Sequence, residues 1–169
     1  RATPEYLALN PSGRVPTLEI GGLVLTESAA IVIHVADAFP EARLLPEMGT
    51  DERSDAIRWL MHLTNTVQPT MMRFLYPERY GTAGVKERAH EDAAELFDRI
   101  DTHLVGRDWL VGDMRSGADL FLFMVTRRGR NLDPKAWTRP SLGAHYDRCA
   151  ALPGVQRMLA EMEILARPE

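Results

Sequence analysis

The sequence predicts a protein in two parts, a short β-β-α segment followed by an all-helical bundle. Three observations predict it. Apolar residues alternate with others on both sides of a Gly-Gly pair near the start. Strand signals stop after a proline-broken stretch across residues 39–48, which reads as a linker. Beyond it, apolar residues recur at helical spacing almost to the end. With 169 residues, 45% of them hydrophobic and 26% charged, the chain falls in the range of globular proteins that bury a core.

Leu18 and Ile20, then Leu23 and Leu25, flank Gly21-Gly22, so the stretch from Val15 to Thr26 reads as two antiparallel strands joined by a tight turn. Ile31, Val32, Val35, Ala36 and Phe39 give the next segment one apolar helical face, and Pro40 ends it. Two strands and a single helix leave a sheet without partners or cover, so this region reads as half of a larger domain. Ile57, Leu60, Thr64, Val67, Met71 and Phe74 mark a long helix that Pro69 bends. Ala89, Ala93, Leu96, Ile100 and Leu104 mark a second. Nearly every residue from Ala118 to Val125 is apolar, which predicts a helix through the middle of the bundle. Two more helices, over 142–149 and 155–165, are separated by Pro153-Gly154.

Several classes of function are excluded on composition. A net charge of -4 with both signs interspersed provides no basic stripe for nucleic acid. The longest apolar runs, near Leu120–Val125 and Ala29–Val35, are far shorter than the roughly 20 residues of a membrane-spanning helix. Cys149 is the single cysteine, so no intrachain disulfide forms, and a reducing, cytoplasmic setting is expected. It lies on an apolar stripe and reads as a buried, inert thiol. The five histidines form no metal-ligand spacing, and no metal is expected. Arg1 opens the chain with neither an initiator Met nor a signal-peptide pattern, so the expectation is a chain truncated at its start.

One constellation carries chemistry: Asn10-Pro11-Ser12-Gly13-Arg14-Val15-Pro16-Thr17-Leu18, then, after the hairpin, Glu27-Ser28 opening a helix. Taken singly these are a common turn, a common strand dipeptide and a common helix start. In this order they resemble the glutathione-binding half of the thioredoxin-like domain in the cytosolic glutathione transferases of bacterial type. Ser116-Gly117-Ala118-Asp119 ahead of the apolar helix is a capping box, with Ser116 capping the helix and Asp119 reaching back. Together with Asp108-Trp109-Leu110-Val111-Gly112-Asp113, it resembles the start of that family's central helix, so the likeness spans almost the whole chain. His34 departs from the family, where many members carry Tyr, and reads as a packing or surface residue.

The resemblance implies a fold, a co-substrate and a set of roles. Residues 1–46 correspond to the C-terminal β-β-α part of a thioredoxin-like domain with its linker, and residues 47–169 to an all-α domain. Pro16 follows a cis bond, and the Val15 main chain pairs with the cysteinyl part of glutathione as an added strand does. Ser28, at a helix N-terminus, receives the γ-glutamyl carboxylate, Glu27 the α-amino group, and Arg14 lies toward the glycyl carboxylate. The stretch Asn65 to Tyr80 lines the pocket for a hydrophobic electrophile through Gln68, Met71, Met72 and Tyr76, although any one of them is equally explained as bundle core. The segment Tyr76 to Tyr80 is either pocket rim or subunit contact. The group that activates the glutathione thiol lies upstream of Arg1. The partners implied are glutathione, an electrophilic small molecule and a second copy in a two-fold homodimer across the helices between Asp51 and Gly106. A glutathione-dependent isomerase, dehalogenase or reductase, or a non-catalytic adaptor on the same fold, are the alternatives. The kept Val15-Pro16 and Glu27-Ser28 favour an enzyme.

Overall fold

The computed structural model describes residues 3–81 and 83–164. The chain divides into two compact units, Arg1–Leu45 and Pro46–Glu169.

The first unit opens with a helix that apolar periodicity does not announce, α1 (Pro4–Leu9). Thr3 caps it by accepting the Tyr6 N–H on Oγ1 at 3.3 Å, and Pro4 occupies the first turn, where its missing N–H costs nothing. Strands β1 (Thr17–Ile20) and β2 (Leu23–Thr26) form the predicted hairpin, with Thr17 opposite Thr26 and Ile20 opposite Leu23. Gly21 and Gly22 hold φ of 55° and 83°, the double positive φ that a two-residue turn matched to strand twist requires. Helix α2 (Ser28–Ala38) packs on β2 and ends where Phe39 donates to the Val35 carbonyl ahead of Pro40. Asn10, Ala29, Ala36 and Leu45 are the buried residues among those described in this unit.

In the second unit the regular elements among the described residues are all helices. Helix α3 (Asp51–His62) is capped by Thr50, which accepts from the Arg53 N–H at 3.2 Å, with Asp51 and Glu52 at the positive end of its dipole. It runs through a π turn, Leu63–Val67, into α4 (Gln68–Leu75). Here the Gln68 N–H reaches back to the Leu63 carbonyl, five residues away. Pro69 explains the widened turn, because it cannot donate to the preceding turn and its ring crowds the carbonyl four residues back. The long helices are completed by α5 (Val85–His103), followed by the central α6 (Gly117–Arg128) with Leu122 and Val125 fully buried. Helix α7 (Pro140–Ala150) packs on α5 and α6. Leu60, Leu63, Val67, Phe97, Leu122, Leu142 and Tyr146 fill the core, with Tyr146 stacked on Phe123 at 4.6 Å between ring centres.

The last helix, α8 (Pro153–Glu161), departs from the expected span of 155–165. Pro153 does not separate two helices but starts the second, at the position where proline is best tolerated. The helix stops at Glu161, ahead of Glu163 with its positive φ of 51°; Leu165 lies outside the described residues.

Candidate functional site

The turn before β1 is built around a buried asparagine. Asn10 Nδ2 donates to the Arg14 carbonyl at 2.7 Å and to Thr17 Oγ1 at 3.0 Å. Its Oδ1 accepts from the Ser12 N–H and hydroxyl at 3.1 and 2.6 Å. The Tyr6 hydroxyl of α1 donates to the same Arg14 carbonyl and shares a 2.8 Å hydrogen bond with Thr17 Oγ1. With the carbonyl of Arg14 taken twice, the next residue is turned outward. Val15 is 62% exposed, its bond to Pro16 is cis, and its main-chain N–H and C=O have no partner among the described residues. Reading by motif missed both Tyr6 and Asn10 as the supports of this turn; the Asn-Pro-x-Gly signature gave the turn but not its hub.

Strand register decides what stands beside Val15. Thr17 pairs with Thr26, so one step further Pro16 and Val15 come to the same end of the hairpin as Glu27 and Ser28. Glu27 precedes α2 with φ 69° and ψ 117°, a conformation that costs a non-glycine residue of order 1–3 kcal/mol. Strain held at such a point is a mark of a functional position. The Glu27 side chain is exposed and makes no capping hydrogen bond, the first N–H groups of α2 have no side-chain acceptor among the described residues, and Ser28, half-buried, adds a hydroxyl beside them. The arrangement offers an unpaired main-chain donor and acceptor, a carboxylate and an anion-seeking helix end on one rim. Arg14 is exposed next to it, and its side chain has no ion pair among the described residues.

Gln68 and Met72 on α4 and Tyr76 at its C-terminal cap are spaced by four residues and form one stripe. Gln68 and Met72 are half-buried, and Tyr76 is exposed just past the helix end with the Arg79 guanidinium 4.6 Å above its ring. Met71 does not join them. Its side chain is fully buried, because it points along the face that carries Leu63 and Val67 into the bundle, and it is core. The π turn immediately before Gln68 is a feature that recurs at functional sites, and it had no signature in the sequence beyond Pro69.

At the start of α6 both halves of the capping box are in place. Ser116 Oγ accepts from the Ala118 N–H at 3.2 Å, and Asp119 Oδ2 accepts from the Ser116 N–H at 2.7 Å and its hydroxyl at 2.9 Å. Asp119 Oδ1 accepts from the Leu110 N–H at 2.8 Å and from His145 Nε2 of α7 at 2.9 Å. Every lone-pair direction of this buried carboxylate has a donor. Cys149 lies one turn beyond His145 and is fully buried; burial, and then the nearby Asp119, push its thiol up to about 12, so it is no nucleophile.

Comparison with known proteins converges on one family. The profile of the glutathione S-transferase N-terminal domain matches residues 1–37, and that of the C-terminal domain matches residues 62–153. Glutathione S-transferase GST-4.5 of Xanthomonas campestris pv. campestris is 34% identical over 97% of this chain and 78% of its own length. GstA of Escherichia coli O157:H7 is 28% identical over 92% of this chain and 77% of its own. Among solved structures, the Xylella fastidiosa glutathione S-transferase superposes with a TM-score of 0.86 at 33% identity, covering 97% of this chain and 82% of that one. A sphingomonad glutathione S-transferase complexed with glutathione gives 0.86 at 28% identity, over 97% and 81%. Taken with the hairpin rim and the central helix, these matches show that the chain belongs to the glutathione S-transferase family.

Proposed function

We propose that the chain holds glutathione on the rim formed by Val15-Pro16 and Glu27-Ser28 and serves the transfer of its sulfur to an electrophilic carbon. The observation that carries this reading is the hairpin register, which brings the unpaired Val15 main chain to the same end as Glu27 and the start of α2. The Val15 N–H and C=O pair with the cysteinyl residue as an added strand would. The γ-glutamyl carboxylate takes the α2 N–H groups and the Ser28 hydroxyl, and the Glu27 carboxylate takes the α-amino group, so both ends of one zwitterion are held. Arg14 is assigned to the side of the glycyl carboxylate. A tripeptide fixed at this many points presents its thiol in one orientation, the entropic share of catalysis. The group that lowers the thiol pKa is assigned to none of the chain's residues.

The stripe of Gln68, Met72 and Tyr76 is our candidate for the wall that meets the second substrate, a hydrophobic electrophile. A flexible thioether and an aromatic ring make a surface that adapts to many shapes. A two-fold homodimer in the cytoplasm completes the proposal. The charges on α3 and α5 give the dimer no added support, because Arg58 pairs with Asp55, Arg88 with Asp92 and Arg99 with Glu95 along the helices themselves, and Asp98 is taken by Arg139. Affinity on immobilised glutathione tests the clamp. The protein at its natural length is retained, and Glu27→Ala with Ser28→Ala abolishes retention. A double variant retained as well as the parent refutes the assignment.

A further inference from the structure

Several arginines of the helical unit are held by carboxylates. Arg58, Arg88, Arg99, Arg139 and Arg148 each reach a carboxylate, and the most buried of them, Arg139, adds the Ala94 carbonyl at 3.1 Å to its contact with Asp98. Arg128, half-buried at the end of α6, has no carboxylate partner among the described residues. Its Nη1 instead lies 3.3 Å from the Met72 sulfur of α4. A thioether is among the weakest acceptors a protein offers, and a guanidinium carries five N–H donors. The end of α6 does not need the charge for closure, since the Gly129 N–H already reaches the carbonyls of Val125, Thr126 and Arg127. A half-buried cation left on a sulfur is costly unless something else compensates it. No such group stands against it among the described residues, and the sulfur it rests on belongs to the stripe assigned to the second substrate.

We propose that Arg128 recognises an anionic substituent, a carboxylate or sulfonate, on the electrophilic substrate, with its planar fork taking two oxygens at once while Met72 moves aside. The proposal rests on reading Gln68, Met72 and Tyr76 as the wall that meets this substrate. It makes the preferred electrophiles acidic aromatic or aliphatic compounds rather than neutral ones, and it names the residue that sets the preference.

The test compares two electrophiles of one shape, a neutral chlorodinitrobenzene and a chlorodinitrobenzoate, with the protein at its natural length. In each, the glutathione sulfur bonds to the ring carbon and chloride leaves with the C–Cl electron pair, so only the carboxylate differs. Arg128→Met keeps the volume and removes the charge. The ratio of kcat/KM for the benzoate over that for the neutral compound falls roughly 10- to 100-fold, and Arg128→Lys recovers part of it. Calorimetric titration with the benzoate alone shows salt-sensitive binding that Arg128→Met loses. An unchanged ratio in both variants, with benzoate binding intact, overturns the proposal. Met72→Ala and Tyr76→Ala separate the two layers of the reasoning: if they change KM for both electrophiles while Arg128→Met leaves the ratio alone, Arg128 is wrongly assigned and the wall stands. If they change KM for neither, the wall itself falls and Arg128 with it.

Discussion

Replacing Asp119 by Asn keeps the shape of the side chain and exchanges one acceptor oxygen for a donor. All four contacts to this carboxylate are donors: the Leu110 N–H, His145 Nε2, the Ser116 N–H and the Ser116 hydroxyl. Whichever way the amide turns, its NH2 faces at least one donor with no water to take its place. The cheaper orientation puts the NH2 against Ser116, whose hydroxyl rotates to accept while its N–H is left unsatisfied. A buried unsatisfied donor costs about 1–3 kcal/mol, and the remaining bonds lose their charge assistance. The expected loss is about 2–4 kcal/mol, a large share of the stability of a domain this size, with Tm falling by roughly 6–16 °C. Urea unfolding followed by tryptophan fluorescence reports on it directly, because the Trp109 ring lies 5.9 Å from His145. His145→Leu, which removes one donor and leaves the box intact, should cost less. A loss below about 0.5 kcal/mol for Asp119→Asn refutes the view that the four donors hold α6 and α7 together through this carboxylate.

Three further outcomes follow from the geometry. Glu27→Gly relieves the strain at φ 69°, so the melting temperature holds or rises while glutathione affinity drops at least several-fold; a loss of both stability and binding would mean that the conformation is not strained. Cys149, with its thiol pushed up to about 12, stays unlabelled by iodoacetamide in the native protein at pH 8 and becomes labelled only in denaturant, as intact mass spectrometry would show; rapid native labelling contradicts its burial. His62 is held below its ordinary value of 6.5, first by burial and then by Arg58 and Arg99. The unfolded chain therefore binds the proton more readily, so His62's contribution is fully present above pH 6.5 and is lost as pH falls through 6.5 toward the lower folded value. His62→Gln flattens that part of the pH profile of the urea midpoint, and an unchanged slope sinks the assignment.

Legibility in the sequence tracked how local the cause of each feature is. The hairpin was readable because Gly21-Gly22 fixes turn type and the alternation fixes register within a dozen residues. Helices α3 and α5 were readable because one face of each is buried, and burial writes itself as periodicity; α6 was readable because it is buried nearly all round and so shows as a continuous apolar run. Helix α1 was not, since it buries none of its six residues and is held by Thr3 and by Tyr6 reaching across to Arg14 and Thr17. The Asp119–His145 bond joins residues far apart in sequence, so no local spacing announces it. Met71 carried two readings, one on the apolar stripe with Val67 and Phe74 and one, from the resemblance, in the pocket wall; its full burial is what the stripe predicts. The clamp stood on resemblance for its roles; what the structure adds is the register that gathers its members and the two side chains, Tyr6 and Asn10, that turn Val15 outward.

A structure of the protein with glutathione bound measures directly where the tripeptide lies on the hairpin rim. Expected in it are the cysteinyl N–H and C=O paired with the main chain of Val15, the γ-glutamyl carboxylate on the first N–H groups of α2 beside the Ser28 hydroxyl, and the α-amino group on Glu27. Glutathione bound with its γ-glutamyl end away from Glu27 and Ser28, or with the Val15 main chain still unpaired, would contradict this placement.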